Sequence, residues 1–125
     1  MSRHSLPILL LLSLLSCQES LQDKAERQAW DYTRKYCPTP PINHIRTDSI
    51  TFDRKSNTYN YYCSFTDFLD DQEIINSNQS KIKDVLRGSV SESASMKPYL
   101  DAGFHFQYIC HSEKDPKKVL LQVKF

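Results

Sequence analysis

Ser49-Ile50-Thr51-Phe52-Asp53-Arg54-Lys55-Ser56-Asn57-Thr58-Tyr59-Asn60-Tyr61-Tyr62-Cys63-Ser64-Phe65 is the stretch on which the fold turns. Ile50 and Phe52 alternate with Ser49, Thr51 and Asp53, and Tyr59, Tyr61, Cys63 and Phe65 alternate with Asn60, Tyr62 and Ser64. A period of two in residues that favour extended backbone predicts two strands, with Arg54-Lys55-Ser56-Asn57 as the turn between them. The C-terminal segment repeats the pattern. Phe104, Phe106, Tyr108 and Cys110 alternate with His105, Gln107, Ile109 and His111, and Val119, Leu121, Val123 and Phe125 alternate with Leu120, Gln122 and Lys124 after a turn at Lys114-Asp115-Pro116-Lys117. One apolar and one polar face per strand describes a sheet covered on one side.

Two helical patterns supply the cover. Ser20 and Asp23 read as an N-cap with an acidic partner three residues on, opening a helix to about Tyr36. Leu21, Ala25, Ala29, Tyr32 and Tyr36 fall on one side, and Pro38, Pro40 and Pro41 stop it. Asp70 with Glu73 opens a second helix carrying Ile74, Ile75, Ile82, Val85 and Leu86, with Gly88 placed as its C-terminal cap. Ser89 to Ser95 reads as a polar linker, and Pro98 to Gly103 as one helical turn. The expected fold is α+β in two layers, helix-hairpin-helix-hairpin, with a four-stranded antiparallel sheet and both helices on one face.

With 125 residues, the chain supports one compact domain. Sixteen Lys and Arg balance fifteen Asp and Glu, which argues against a nucleic-acid partner, since phosphate recognition needs a dominant basic surface. Two Gly exclude a Gly-rich linker chain, and 11% aromatic residues exclude most disordered tails.

The N-terminus carries a separate signal. Arg3 and His4 precede an apolar run from Leu6 to Leu15, shorter than the roughly 20 residues that a membrane-spanning helix needs, and sized like the core of a secretory signal peptide. The run ends in Leu14-Leu15-Ser16-Cys17, which resembles the lipobox of bacterial lipoproteins. That resemblance implies cleavage after Ser16 and lipidation of the Cys17 thiol, with two or three acyl chains giving a lasting membrane anchor. A eukaryotic signal peptide with a chance cysteine is the alternative. On the lipobox reading, residues 1–16 are a signal peptide, 17–19 a lipidated tether and 20–125 a single domain. Tyr36-Cys37-Pro38, the segment Asp48 to Asp53, the Tyr-rich strand and the segment Tyr99 to Tyr108 resemble small lipoproteins of Gram-negative bacteria, Bacteroides relatives among them. This implies a bacterial cell-envelope location and brings no activity with it.

Three cysteines remain: Cys37, Cys63 and Cys110. An oxidising compartment permits one internal disulfide among them. Cys63 with Cys110 is the favoured pair, since both fall on the helix-facing stripe, and Cys37 is the alternative partner; buried free thiols are the other reading. No metal site is assigned, because the closely spaced Cys and His pairs of zinc sites are missing from the sequence. No cofactor is assigned either. A Cys–His nucleophile is disfavoured, because His105 and His111 alternate onto the face opposite Cys63 and Cys110. Asp67, Asp70, Asp71 and Glu73 lack the spacing of a calcium loop and suit a helix N-terminus.

The polar sheet face is the candidate binding surface. Tyr62, His105, Gln107 and His111, with Thr51, Asn60, Ser64, Ile109, Leu120 and Gln122, form an outward set mixing hydrogen-bonding groups with an aromatic ring, which suits a protein or glycan partner. A plain solvated face is the alternative. The sequence therefore points to a non-enzymatic, lipid-anchored envelope module that binds a partner, or to a structural and assembly lipoprotein, with a small thiol enzyme behind both.

Overall fold

The computed structural model describes residues 19–125, so the expected signal peptide, residues 1–16, and the expected lipidation site, Cys17, lie outside the described residues. Helix α1 (Leu21–Tyr36) is followed by strands β1 (Ile45–Asp53) and β2 (Thr58–Phe65). Helices α2 (Gln72–Ser77), α3 (Gln79–Ser91) and α4 (Lys97–Asp101) come next, then strands β3 (His105–Ser112) and β4 (Val119–Lys124). The fold is α+β: one four-stranded sheet in the order β1-β2-β3-β4, with its buried face under the helices.

The sheet is mixed where an antiparallel one was expected. Both hairpins form as read, but the central strands β2 and β3 run parallel. Residues 66–104 carry the chain back along the sheet through three helices and deliver β3 to the end at which β2 began. Parallel neighbours need a long crossover of this kind, and two strands joined by a tight turn do not.

Helix α1 begins where the sequence places it: Ser20 Oγ accepts from the Asp23 N–H at 3.0 Å. Ala25 and Ala29, 0% and 3% exposed, let the helix lie close to the sheet. The Tyr59 hydroxyl donates to the Ala25 carbonyl at 3.2 Å. Near the other end, Thr33 Oγ1 accepts from the Ile50 N–H at 2.8 Å and donates to its carbonyl at 2.9 Å, pinning helix to strand.

The second helical pattern divides in two. Asp71, one residue later than expected, caps α2 by accepting from the Glu73 and Ile74 N–H groups. The helix breaks at Asn78, and α3 runs through Gly88 to Ser91. Gly88 is not a cap, because Ile82, Leu86 and Val90 repeat every four residues and all three are buried. That burial outweighs the roughly 1 kcal/mol that an interior glycine costs. Gly103 does end α4, at φ 81°, with its N–H on Leu100 O.

Two bulges adjust the strands. One at Asp48 lets β1 run back to Ile45 without losing its inward set. The other lies between Cys110 and His111 against β4, so that Val119 pairs with His111 and the extra residue, Leu120, is buried. The expected order is thus reversed at the start of β4: Leu120 belongs to the core and Val119 is exposed.

Candidate functional site

Parallel register decides what the helix-facing side of the sheet looks like. Tyr59 pairs with Phe106, Tyr61 with Tyr108 and Cys63 with Cys110, each pair on the same side of the pleat. Tyr59 and Phe106 stack at 5.5 Å with planes 3° apart, and Tyr61 and Tyr108 at 4.8 Å and 16°. At the Tyr59 end, Tyr99 of α4 closes over the stack, 1% exposed, its hydroxyl donating to Gln28 Oε1 at 2.6 Å. Phe52 and Phe104 complete that end, with ring centroids 5.4 Å apart.

Toward the Cys63 end the helix layer parts. A half-open groove of about 890 Å³ runs between α1 and α3. Tyr61, Cys63 and Tyr108 line its floor, together with Ile45 and Ile50 of β1. Tyr32 and Tyr36 form one wall; Val85, Leu86 and Met96 form the other. The loop after α1 closes the remaining side with Pro40 and Ile42, held along β1 by the Thr39 N–H on Thr47 O at 2.9 Å. This loop needs the prolines that end α1, since they keep it extended.

Along the rim, apolar side chains stay in water: Tyr36 is 61%, Ile42 72% and Val85 46% exposed. Of the charged residues only Asp31 and Lys35 line the groove. Its floor is uncharged, and burial raises the Tyr61 and Tyr108 phenols well above their ordinary range. The Tyr61 hydroxyl donates to Met96 Sδ at 3.6 Å, tying floor to wall. Size and lining suit an apolar ligand or side-chain cluster.

The four residues proposed from sequence lie together on the opposite side of the sheet. His105 is exposed, and Tyr62, Gln107 and His111 are half-buried by their neighbours. The buried Nδ1 of His111 has no hydrogen-bond partner among the described residues. Part of that face is engaged internally. Arg46 donates to Asp48 at 2.8 Å, to Glu113 at 2.7 Å and to Ser64 at 3.1 Å, leaving Ser64 5% exposed.

Cys37, Cys63 and Cys110 carry free thiols in the structure. Cys63 and Cys110 are register partners, whereas Cys37 sits half-buried at the end of α1. Contact with the Cys63 thiol, and then burial, raise the Cys110 thiol far above its ordinary value; burial raises Cys37. An activated nucleophile needs the opposite shift. Among the described residues no group of three His, Cys, Asp or Glu side chains is placed to hold a metal ion, and no helix is long and apolar enough to cross a membrane.

Sequence reading missed the groove because its walls come from residues read as ordinary core. The available signal was Ile42, an aliphatic residue set in a proline-rich loop outside either periodic pattern.

The fold recurs in solved structures. It is similar to a presumed secreted protein of Pseudomonas aeruginosa, 17% identical, with 86% of this chain and 95% of that chain covered at a TM-score of 0.63. It is also similar to EpsS, the pilotin of the Vibrio vulnificus type 2 secretion system, 15% identical, covering 83% and 86% at a TM-score of 0.56. No curated protein matches the chain in sequence. The helix-covered sheet, from the cap of α1 into β4, coincides with one family model over residues 20–121, and the chain belongs to that family, the domain of unknown function DUF8479.

Proposed function

We propose that the chain is a binding module of the bacterial cell envelope, tethered to a membrane by a lipid on Cys17, whose groove between α1 and α3 receives an apolar segment of a protein partner. The carrying observation is the rim: Tyr36, Ile42 and Val85 stay exposed around an uncharged floor. Apolar side chains gathered at one cleft mark a contact surface, whereas scattered ones do not. A peptide that laid two or three apolar residues into the groove would cover them, the way a helix docks in a groove. The fold shared with a pilotin and with a presumed secreted protein supports an envelope setting, and it suggests a secretion-system protein as the kind of partner. The lipobox at Leu14 to Cys17 supports the tether.

This reading moves the binding surface from Tyr62, His105, Gln107 and His111 to the other side of the sheet. The test is a photo-crosslinking side chain placed at Val85 and, separately, at Tyr62, activated in intact cells. The expected result is one dominant product from Val85, mapped to an apolar stretch of an envelope protein and competed by a peptide of that stretch. Products from Tyr62 with none from Val85 would overturn the groove. Cys17→Ser is expected to release the chain from membranes, and continued processing and membrane retention would overturn the tether.

A further inference from the structure

Below the aromatic pairs, the ladder between β2 and β3 continues with two thiols. Cys63 and Cys110 are direct register partners in parallel strands, so both point to the same side of the sheet, and they are 1% and 0% exposed. Neighbouring strands lie about 4.7–4.9 Å apart, inside the window of roughly 4.4–6.8 Å between Cα atoms that a disulfide spans. We propose that Cys63 and Cys110 are joined by a disulfide when the chain folds under oxidising conditions, stapling the two central strands beneath the groove. Cys37, at the end of α1, has no register partner and stays a thiol.

The bond forms by two exchanges with a disulfide-bonded oxidant, a small-molecule or a protein disulfide. One cysteine thiolate attacks an oxidant sulfur, giving a mixed disulfide and releasing one oxidant thiol. The second thiolate then attacks the cysteine sulfur of that mixed disulfide and releases the other. The chain loses two protons and two electrons, and the oxidant becomes two thiols. Timing follows from burial. In the folded chain both thiols are at most 1% exposed, Cys63 in the groove floor included, so the exchange belongs to the stage at which β2 and β3 have paired and the helices have not yet settled on the sheet. Cβ atoms in a disulfide sit about 3.8 Å apart, so the strands pinch slightly at this rung.

Each of the three cysteines after Cys17 falls on its own tryptic peptide, residues 36–46, 56–81 and 88–114, because Lys97 precedes Pro98. The chain is refolded from denaturant in a glutathione redox buffer, its remaining thiols are alkylated in denaturant, and the digest is read by mass spectrometry. Peptides 56–81 and 88–114 are expected joined, 2 Da below the sum of their reduced masses, with 36–46 alkylated. The bridged chain is also expected to keep the near-ultraviolet circular dichroism of the reduced protein, since the stacked rings are the next rungs. Three alkylated peptides, a link to Cys37, or a bridged chain without native dichroism would each overturn the proposal.

Discussion

The two ends of the helix layer differ more than the strands beneath them. At the end marked by Phe52, Tyr59, Phe104 and Phe106, α1 and α4 close over the sheet and Tyr99 fills the space between them. At the end marked by Ile45 and Cys63, the same α1 stands apart from α3, and the gap is the groove. Strand composition does not explain the contrast, because Tyr61 and Tyr108 stack in the open half as Tyr59 and Phe106 do in the closed half. The difference lies in what comes down from above. Ala25 and Ala29 bring the start of α1 close to the sheet, and α4 adds a ring there. Farther along, α1 carries Tyr32 and Tyr36, whose rings line the groove and stay partly in water. Small residues and a covering ring seal one end, and large, partly exposed side chains line the other.

The largest expected effect follows from that contrast. Phe106→Ala at the sealed end removes a fully buried ring that stacks on Tyr59, and is expected to cost about 3–5 kcal/mol of unfolding free energy in urea titration. Val85→Ala at the rim is expected to change stability by less than about 0.5 kcal/mol, because its side chain is already 46% exposed. Equal losses from both would break the comparison and make the rim part of the core. Tyr99→Phe sharpens it at an intermediate scale. The ring stays and the bond to Gln28 goes, for an expected loss of about 1 kcal/mol.

The sequence made the sealed end legible and left the open end obscure. Alternation placed Tyr59, Phe106, Cys63 and Cys110 on the buried side, and helical spacing with an N-cap placed Ala25 and Ala29 there too; each is a local pattern read over a few residues. Strand direction is not local. Whether β3 runs with or against β2 depends on how far residues 66–104 travel, and neither hairpin encodes it. The groove has the same character, since it arises from the distance between two helices that never touch in sequence. The bulge at Leu120 shows a smaller version of the limit: one inserted residue exchanges inside for outside, and nothing in the alternation of Val119, Leu120 and Leu121 marks where it falls.

Polar clamps tie down both ends, so they offer the smallest and most even effects. At the sealed end Arg54 reaches Asp23 at 2.6 Å, and this contact holds the Asp23 carboxyl below its ordinary range. At the open end the Ser112 hydroxyl and the Lys114 N–H, the latter at 3.0 Å, do the same for Asp70. A carboxylate whose folded pKa lies below its unfolded one stabilises the fold fully above the unfolded value, about 3.8, and loses that contribution as pH falls through the folded value. Stability is therefore expected to be level from pH 7 to about 5 and to fall below about 4. Asp23→Asn and Asp70→Asn are each expected to shallow that fall slightly when Tm is measured between pH 6 and pH 3. Asp23 is exposed and Asp70 half-buried, and water reaches and screens both carboxylates, so the two variants should behave alike. A marked difference between them would mean that charge distinguishes the two ends; matched behaviour leaves the packing between helices and sheet as what distinguishes them.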